Sequence, residues 1–313
     1  MQSPDLSRPL VVIVGPTAVG KTEVAIALAE RLDGEIISAD SRLFYRGMDI
    51  GTAKPGADEL MRVRHHLIDV TGPDAPWSLV DFQQKAKTAI EDILQRNKLP
   101  FLVGGTGQYI QAVIEEWVIP VQAPDLRLRD ALEAWGREIG AAELHRRLAL
   151  IDPEAAQRME PHNLRRSVRA LEVIFHTGSL FSAQRKKGAT SYQVCRIGLI
   201  RPRQELYQRI DERIDAMISN GLLGEVKDLL DQGYEAGLAP FSAIGYREMI
   251  QVIQGTITLD EAVILMKRAT RQFVRRQANW FKANDPDLHW FDLSVNPAAE
   301  IETFLKTQVR WTS

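Results

Sequence analysis

The sequence has little cysteine, no long apolar run and no large excess of charge of either sign. Its single cysteine, Cys195, excludes an internal disulfide and any zinc site built from several cysteines, and it is typical of a reducing compartment. No apolar stretch approaches the roughly 20 residues that a transmembrane helix needs, and the opening residues MQSPDLSRPL lack the apolar segment of a signal peptide. We therefore expect a cytoplasmic protein with no membrane partner.

The formal net charge of -2 over 313 residues argues against a surface that coats nucleic acid without specificity. A hydrophobic content of 45% and a charged content of 26% are ordinary values for a folded enzyme, so they exclude a disordered chain and little else. The length favours one large domain or two. The positions of the charged residues along the chain therefore say more about possible binding partners than the net charge does.

Short apolar runs alternate with helical periodicity in the first third of the chain. Residues 10–14 and 35–38 predict two strands, with a helix over residues 23–32 between them, and residues 101–103 predict a further strand followed by a helix from about Gln108. Strands that alternate with helices predict an α/β fold with a parallel sheet flanked by helices. In such a fold the functional site lies at the carboxyl ends of the strands.

Residues 15–22, GPTAVGKT, match the phosphate-binding pattern G-x-x-x-x-G-K-[ST] and lie between a predicted strand and a predicted helix, as this motif requires. The glycines let backbone N–H groups point at phosphate oxygens, and the helix start adds a partial positive charge. Lys21 neutralises phosphate charge, and the Thr22 hydroxyl can ligate Mg²⁺. The segment predicts a P-loop in a P-loop NTPase-like core.

The parts that an ATP-hydrolysing enzyme adds to a P-loop are missing from the sequence. Such enzymes carry a hydrophobic strand that ends in a metal-binding aspartate, and the only candidate here is the very short run at residues 67–69. A guanine-binding Asn-Lys-x-Asp signature is also absent, because residues 97–100 read NKLP. These absences favour a loop that holds a departing phosphate group rather than a transferred one.

A long arginine-rich segment interrupts the alternation of strands and helices. Residues 125–185 are helical in pattern, and the core is predicted to resume with a strand over residues 194–200. Further helices are predicted over residues 205–219, 224–231 and 260–282, with a last strand near residues 289–291. The predicted organisation is a core in two parts, residues 1–120 and 191–313, with an inserted all-helical domain over residues 121–190.

Asp40 ends the second predicted strand, so it is expected at the same sheet edge as the P-loop. A carboxylate there could contact a metal through water or act as a general base, and the spacing alone leaves open an aspartate that merely caps a helix or closes a turn. His65 and His66 are adjacent, which is poor spacing for joint metal binding, and are interpreted as surface or core histidines. The segment at residues 78–81 is typical of a helix capping box.

Basic residues form three separate clusters. Arg165, Arg166 and Arg169 lie in the predicted insertion, and residues 184–188, QRKKG, follow them. At about 100° per helical residue, a further set falls within about 60° of one another on the helix predicted over residues 260–282: Arg268, Arg271, Arg275 and Lys282. The opposite side of that helix is predicted to carry Phe273, Val274, Trp280 and Phe281. We interpret the clusters as a surface for an RNA backbone, with solvated charged faces as the alternative.

These residues resemble those of the bacterial tRNA dimethylallyltransferases, also called tRNA isopentenyltransferases, over nearly the whole chain. The shared motifs are GPTAVGKT (15–22), ADSRLFYRGMDIGTAKP (39–55), HHLIDV (65–70), SLVDF (78–82), LVGGTGQYIQA (102–112), RRSVRALEV (165–173), RIDERIDAM (209–217), AIGYREM (243–249) and TRQFVRRQANWF (270–281). So many motifs in order make the resemblance highly specific.

The resemblance implies transfer of a dimethylallyl group from dimethylallyl diphosphate to N6 of adenosine 37, next to the tRNA anticodon, with release of diphosphate. Asp40 would take the N6 proton, while Lys21 and Thr22, with Mg²⁺ on Thr22, would stabilise the departing diphosphate. The implied diphosphate-binding residues are Gly15, Thr17, Ala18, Val19, Gly20, Lys21, Thr22 and Arg213. The implied tRNA contacts are Asp40, Ser41, Arg42, Leu43, Thr106, Arg165, Arg166 and Arg169, to which the basic stripe adds Arg271 and Arg275.

The partners expected on this basis are the anticodon stem-loop of a tRNA and dimethylallyl diphosphate, and the protein is expected to be a monomer. Three other functions compete with this one. A small-molecule kinase would use the same P-loop for ATP but leaves the insertion and the basic helix unexplained. An RNA-binding nucleotide switch leaves Asp40 without a purpose, and prenylation of free AMP or ATP does not need a tRNA-sized basic surface.

Overall fold

The computed structural model describes residues 8–75, 77–119, 125–184, 188, 190–282, 284–295 and 297–308. The chain forms two compact units. The first combines Met1–Ile114 with Thr190–Ser313, and the second is Glu115–Ala189. Three basic residues of the QRKKG cluster, Arg185, Lys186 and Lys187, lie outside the described residues.

The first unit is built on a single parallel sheet with strand order β3-β2-β4-β1-β5-β6. The strands are β1 (Pro9–Val14), β2 (Gly34–Ser38), β3 (His65–His66), β4 (Leu99–Val103), β5 (Gln193–Ile200) and β6 (Leu288–Asp292). All residues of β1, β2 and β4 are buried, as expected for central parallel strands that are covered on both faces. The prediction of a parallel α/β sheet is confirmed.

Helices follow the strands and supply the rest of the core. In chain order, the described helices are α1 (Lys21–Arg31), α2 (Ala57–Arg62), α3 (Leu79–Gln95), α4 (Gly107–Ile114), α5 (Leu126–Ile139), α6 (Ala141–Ile151), α7 (Pro153–Gln157), α8 (Leu164–Thr177), α9 (Arg203–Ser219), α10 (Leu222–Asp231), α11 (Tyr246–Ile253), α12 (Leu259–Gln277) and α13 (Ala298–Gln308). The predicted capping box is confirmed, since Ser78 and Asp81 bond each other's backbone N–H groups at the start of α3. Within the described ranges, no helix combines the length and apolar character that crossing a membrane requires.

Helix α12 is shorter than its periodicity predicts. It ends at Gln277 rather than at Lys282, because the Trp280 N–H donates to the Gln277 carbonyl at 3.0 Å and so closes a tighter turn. The prediction that Lys282 belongs to the basic stripe of this helix is therefore wrong. Trp280 and Phe281 also lie beyond the helix, although Phe281 is still buried in the core.

The second unit contains helices α5 to α8 around a small core of its own. The residues of this core are Leu132, Leu144, Leu148, Ala156, Val168, Ala170, Leu171 and Ile174. Helix α8 buries one face against α5 and α6, and its Asn163 cap accepts the Arg166 N–H at 3.2 Å. The arginine-rich segment therefore folds as a compact helical unit with Arg165 and Arg166 exposed in the first turn of α8.

Candidate active site

The strand order gathers the predicted site residues at one edge of the sheet. Strands β2, β4, β1 and β5 are neighbours in that order, and parallel strands place their carboxyl ends at the same edge. Asp40 follows β2, the turn at residues 104–107 follows β4, the P-loop follows β1, and Arg201 follows β5. The four connections therefore lie side by side, with the P-loop between the β4 turn and Arg201.

The P-loop needs glycine where it leaves β1. Gly15 has a φ of 153°, and a Cβ atom there would lie 2.7 Å from the Leu199 carbonyl oxygen of the neighbouring strand β5. At the other end of the loop, Gly20 has a φ of 110° and precedes the first residue of α1. A side chain at either position would strain or displace the loop. The pattern of glycines is thus explained by the backbone path of the P-loop.

Lys21 points back across the loop. Its Nζ donates to the carbonyl oxygens of Gly15 at 3.1 Å and Pro16 at 2.8 Å. Burial lowers the pKa of Lys21 to about 8, an effect that the negative charge of Asp40 opposes and the positive charge of Arg213 reinforces. A polyanion bound in the loop would favour the charged lysine and raise this pKa again. The arrangement therefore suits a phosphate ligand.

Asp40, Lys21 and Arg213 act on one another electrostatically. Burial also lowers the pKa of Arg213, and the carboxylate of Asp40 opposes this shift. The Arg213 guanidinium donates to the Thr52 carbonyl at 3.2 Å, which is its only hydrogen bond to the described part of the chain. Two cations and one carboxylate thus meet at the P-loop, and most of the arginine's donors are left for a ligand.

The two oxygens of the Asp40 carboxylate differ in their contacts. Its Oδ1 accepts the Arg42 N–H at 3.0 Å, so the interpretation as a turn aspartate is correct. Within the described residues its other carboxylate oxygen makes no hydrogen bond. The Ser41 N–H next to it contacts the Thr106 hydroxyl at 3.5 Å, so the structure brings Asp40, Ser41 and Thr106 together where β2 and β4 end.

Arg42 and Leu43 are held by other parts of the first unit. The Arg42 guanidinium donates to the Pro240 carbonyl at 3.2 Å and contacts the Ser242 hydroxyl at 3.4 Å. The Leu43 carbonyl accepts the Asp69 N–H at 3.1 Å. Arg42 thus joins the Asp40 turn to the short 3-10 helix Ala239–Ser242.

Two arginines that the sequence reasoning did not single out hold the P-loop from outside. Arg201 Nε donates to the Val19 carbonyl, and Arg209 Nε donates to the Ala18 carbonyl, both at 2.9 Å. A terminal nitrogen of each guanidinium lies 3.9 Å from the position that a Cβ on Gly20 would take. Arg209 lies one helical turn before Arg213 on α9. This spacing places the two arginines on the same face of the helix, so it could have identified Arg209 from the sequence.

Gln277 is a third residue that the sequence reasoning missed. It is 4% exposed, and its Oε1 accepts the Thr17 N–H at 2.9 Å while its Nε2 donates to the Gly105 carbonyl at 3.1 Å. One side chain therefore joins the P-loop to the turn after β4. The hydrogen bond commits the Thr17 N–H to Gln277.

The candidate metal residue, Thr22, lies in the first turn of α1 next to Lys21 and is partly exposed. Oxygen donors of this kind suit Mg²⁺, which keeps several waters and takes the rest of its ligands from substrate phosphates. The described residues contain no group of three or more His, Cys, Asp or Glu side chains that could hold a metal by themselves. Asp69, the only candidate for a P-loop metal aspartate, forms an ion pair with Lys54 instead.

The predicted basic residues differ in how far their charges are already paired. Arg165 and Arg166 form no ion pair within the described ranges, whereas Arg169 lies 3.0 Å from the buried carboxylate of Glu172, which also binds Arg129. On the first unit, Arg271 forms an ion pair with Asp211 at 2.6 Å on α9. Its charge is therefore largely compensated.

Arg275 lies on the same side of α12 as Arg271. Both Arg203 and Arg275 hydrogen-bond to the Tyr207 hydroxyl, and these two bonds lower the pKa of Tyr207. The Arg203 and Arg271 guanidinium carbons also lie over the Tyr207 ring, 5.1 Å and 5.2 Å from its centroid, at cation–π distance. The basic stripe on α12 is thus reduced to Arg268, Arg271 and Arg275, and Asp211 of α9 partly neutralises it.

Comparison with known proteins identifies the family. The IPP transferase model matches residues 43–284, and an isopentenyl transferase model matches residues 9–73. The chain belongs to the IPP transferase family. Its sequence is 52% identical to a tRNA dimethylallyltransferase of Roseiflexus sp., over 88% of this chain and 90% of that protein. It is 45% identical to one of Alkaliphilus oremlandii, over 94% and 95% of the two chains.

Solved structures of IPP transferases have the same fold. The full-length tRNA isopentenylpyrophosphate transferase of Bacillus halodurans aligns with a TM-score of 0.72 at 43% identity, over 96% of this chain and 97% of that one. A eukaryotic dimethylallyltransferase acting on tRNA aligns with a TM-score of 0.79 at 26% identity, over 96% and 80%. The resemblance that the motifs indicated is confirmed, and so is the P-loop-like α/β core.

Proposed function

We propose that this IPP transferase family member is a cytoplasmic enzyme that transfers a dimethylallyl group from dimethylallyl diphosphate to N6 of an adenosine next to the anticodon of a tRNA. The observation that carries the proposal is the position of Asp40. The Asp40 carboxylate interacts electrostatically with Lys21 and Arg213, the two cations that we propose bind the diphosphate. Such a site can bind a leaving diphosphate and accept a proton from the nucleophile at once.

The proposed reaction forms one C–N bond, breaks one C–O bond and releases one proton. The N6 amine attacks C1 of the dimethylallyl group, the C–O bond to the diphosphate breaks, and its electron pair leaves with the diphosphate. The nitrogen then loses a proton, which the Asp40 carboxylate accepts. An exocyclic amine is a weak nucleophile until its proton has an acceptor, and a positioned base contributes roughly 10²- to 10⁴-fold to the rate.

The P-loop stabilises the departing charge. Lys21, Arg213 and the loop N–H groups other than that of Thr17 would stabilise the negative charge that develops on the diphosphate, with little reorganisation of the loop. Mg²⁺ bound to the diphosphate would supply further charge neutralisation, and Thr22 is the residue that would hold it. Arg201 and Arg209 keep the loop in this shape through the Val19 and Ala18 carbonyls.

The tRNA contacts proposed here lie on both units. Asp40, Ser41 and Thr106 line the sheet edge, where an adenine that has left its stack would meet the donor. Arg165 and Arg166 are exposed on α8, and Arg275 is exposed on α12. Exposed arginines can bind RNA phosphates. The free energy needed to unstack the target adenine is smallest when the adenine lies in a loop.

The decisive experiment combines purified protein with Mg²⁺, labelled dimethylallyl diphosphate and unmodified tRNA that has adenosine 3′ of the anticodon. Nucleoside analysis is expected to find the label in N6-dimethylallyladenosine, and Asp40→Asn is the matched inactive control. Excess AMP in a parallel reaction tests the free-nucleotide alternative and is expected to leave tRNA labelling unchanged. No label in tRNA, together with ADP formation from ATP, would establish the kinase alternative instead.

A further inference from the structure

Glu225, on α10, binds a loop that follows the Asp40 turn. Its carboxylate accepts three consecutive backbone N–H groups, those of Asp49 at 2.9 Å, Ile50 at 2.7 Å and Gly51 at 3.2 Å. It also accepts the Tyr246 hydroxyl at 2.5 Å. Successive N–H groups that converge on one anion form a concave binding site for it. Here the anion belongs to the protein, so the loop is held in a single conformation.

The loop packs directly on the elements that carry these partners. A Cβ atom on Gly51 would lie 2.5 Å from the Tyr246 ring and 2.8 Å from Leu222, so the backbone approaches both without room for a side chain. The Thr52 hydroxyl donates back to the Met48 carbonyl at 2.6 Å. The direction of the next carbonyl, that of Thr52, is therefore set by the contacts on either side of it.

The Thr52 carbonyl is the one acceptor that Arg213 has among the described residues. The positive charge of Arg213 in turn repels that of Lys21 and is attracted by the carboxylate of Asp40. A continuous series of contacts thus runs from Glu225, through residues 49–52, to the guanidinium at the P-loop. The carboxylate itself has four donors and needs no ligand.

We propose that Glu225 is a positioning residue for the reaction: it orients the Arg213 guanidinium toward the diphosphate by fixing the loop that presents the Thr52 carbonyl. This inference rests on the proposed role of Arg213 as a diphosphate ligand. Glu225 touches neither substrate, so its contribution passes through Arg213. Removing Glu225 should therefore matter only while Arg213 is present.

The test is a double-mutant cycle with inorganic diphosphate and Mg²⁺ as the probe, measured by calorimetry on the full chain. Glu225→Gln keeps the size of the side chain but places an NH₂ group against N–H donors. We expect it to weaken diphosphate binding roughly ten-fold, the equivalent of one charge-assisted hydrogen bond. Arg213→Ala should weaken binding at least as much, and the double variant should bind no more weakly than Arg213→Ala alone.

Two further variants separate positioning from a loss of folding. Tyr246→Phe removes one of the four donors and leaves the three N–H groups, so we expect a smaller change than for Glu225→Gln. Glu261→Gln is the matched control, because Glu261 also accepts a backbone N–H, that of Thr258 at 2.8 Å, but belongs to the capping box of α12. It should leave diphosphate affinity unchanged, although it also removes a carboxylate acceptor of a backbone N–H.

Several outcomes would overturn the inference. Equal decreases in affinity from Glu225→Gln in the presence and absence of Arg213 would show that Glu225 does not act through Arg213. Unchanged diphosphate binding by Arg213→Ala would remove the basis of the proposal. In steady-state assays, Glu225→Gln should raise the KM for the prenyl donor and leave the Kd for tRNA unchanged, and a reversed pattern would also refute it. The calorimetric cycle needs no tRNA and no turnover, so it stands even if prenyl transfer is not the activity.

Discussion

Replacing Gln277 with leucine should loosen the P-loop and destabilise the whole protein. The amide orientation is set by its partners, since the Thr17 N–H needs an acceptor and the Gly105 carbonyl needs a donor. Leucine has nearly the same size and neither function. The Gly105 carbonyl would then be buried without a partner, at a cost of about 1–3 kcal/mol, and the part-buried Thr17 N–H would lose its acceptor at a smaller cost. The expected loss is therefore at least about 1–3 kcal/mol, a substantial part of the roughly 5–15 kcal/mol that stabilises a typical protein.

Denaturant unfolding and the KM for the prenyl donor together measure this effect. We expect a lower unfolding midpoint and a raised donor KM, because the P-loop loses the two Gln277 hydrogen bonds that connect it to the turn after β4. Gln83→Leu is the matched control. Gln83 is also a buried glutamine, and it donates to the Ala112 carbonyl at 2.6 Å, a contact between α3 and α4 that does not involve the P-loop. It should lower stability and leave the donor KM unchanged.

A result for Gln277→Leu within about 1 kcal/mol of wild type, with an unchanged donor KM, would refute this reasoning, since it would mean that neither backbone group depends on the amide. Gln277→Glu sharpens the test. A carboxylate can accept the Thr17 N–H but cannot donate to Gly105, and it adds negative charge beside the diphosphate site. We therefore expect Gln277→Glu to weaken donor binding more than Gln277→Leu does.

Substitutions of the base, of the P-loop lysine and of the α12 arginines test the rest of the site. Asp40→Asn keeps an acceptor for the Arg42 N–H but removes the base, so kcat should fall roughly 10²- to 10⁴-fold while the Kd for tRNA changes little; activity within a few-fold of wild type in a prenyl-transfer assay would rule out the base role. Because the pKa of Lys21 is lowered to about 8, its charge is complete below that pH and is lost above it. Diphosphate affinity should therefore fall as pH rises through about 8 in the wild type, and a Lys21→Met variant that showed the same pH dependence would contradict this. Arg275→Glu should weaken tRNA binding and reduce the slope of log K against log salt by about one for each phosphate that the side chain no longer binds. Arg271→Glu should weaken tRNA binding and flatten its salt dependence less than Arg275→Glu does, because Asp211 already compensates its charge, and an unchanged slope for both variants in a salt titration would argue against an RNA contact on α12.

Periodicity left two features of α12 unpredicted. Helical periodicity continues past Gln277, so it predicted a helix to Lys282, whereas a turn bond to the Gln277 carbonyl ends the helix. Periodicity also showed a basic stripe on α12 but not Asp211 of α9, which forms an ion pair with Arg271. The first feature is a local turn that apolar periodicity does not report, and the second is a contact between elements that are distant in the sequence.

The sequence by itself determined the P-loop, the strand before it, the helix after it and the carboxylate that ends the second strand. These features depend on local chemistry: glycines that permit one backbone path, apolar runs that form buried strands, and a motif whose spacing reflects phosphate geometry. The tertiary structure decided which other residues complete the site. Gln277, Arg201 and Arg209 reach the loop from 260, 182 and 191 residues away in the chain, and only the packing of α9 and α12 and the order of the strands bring them there.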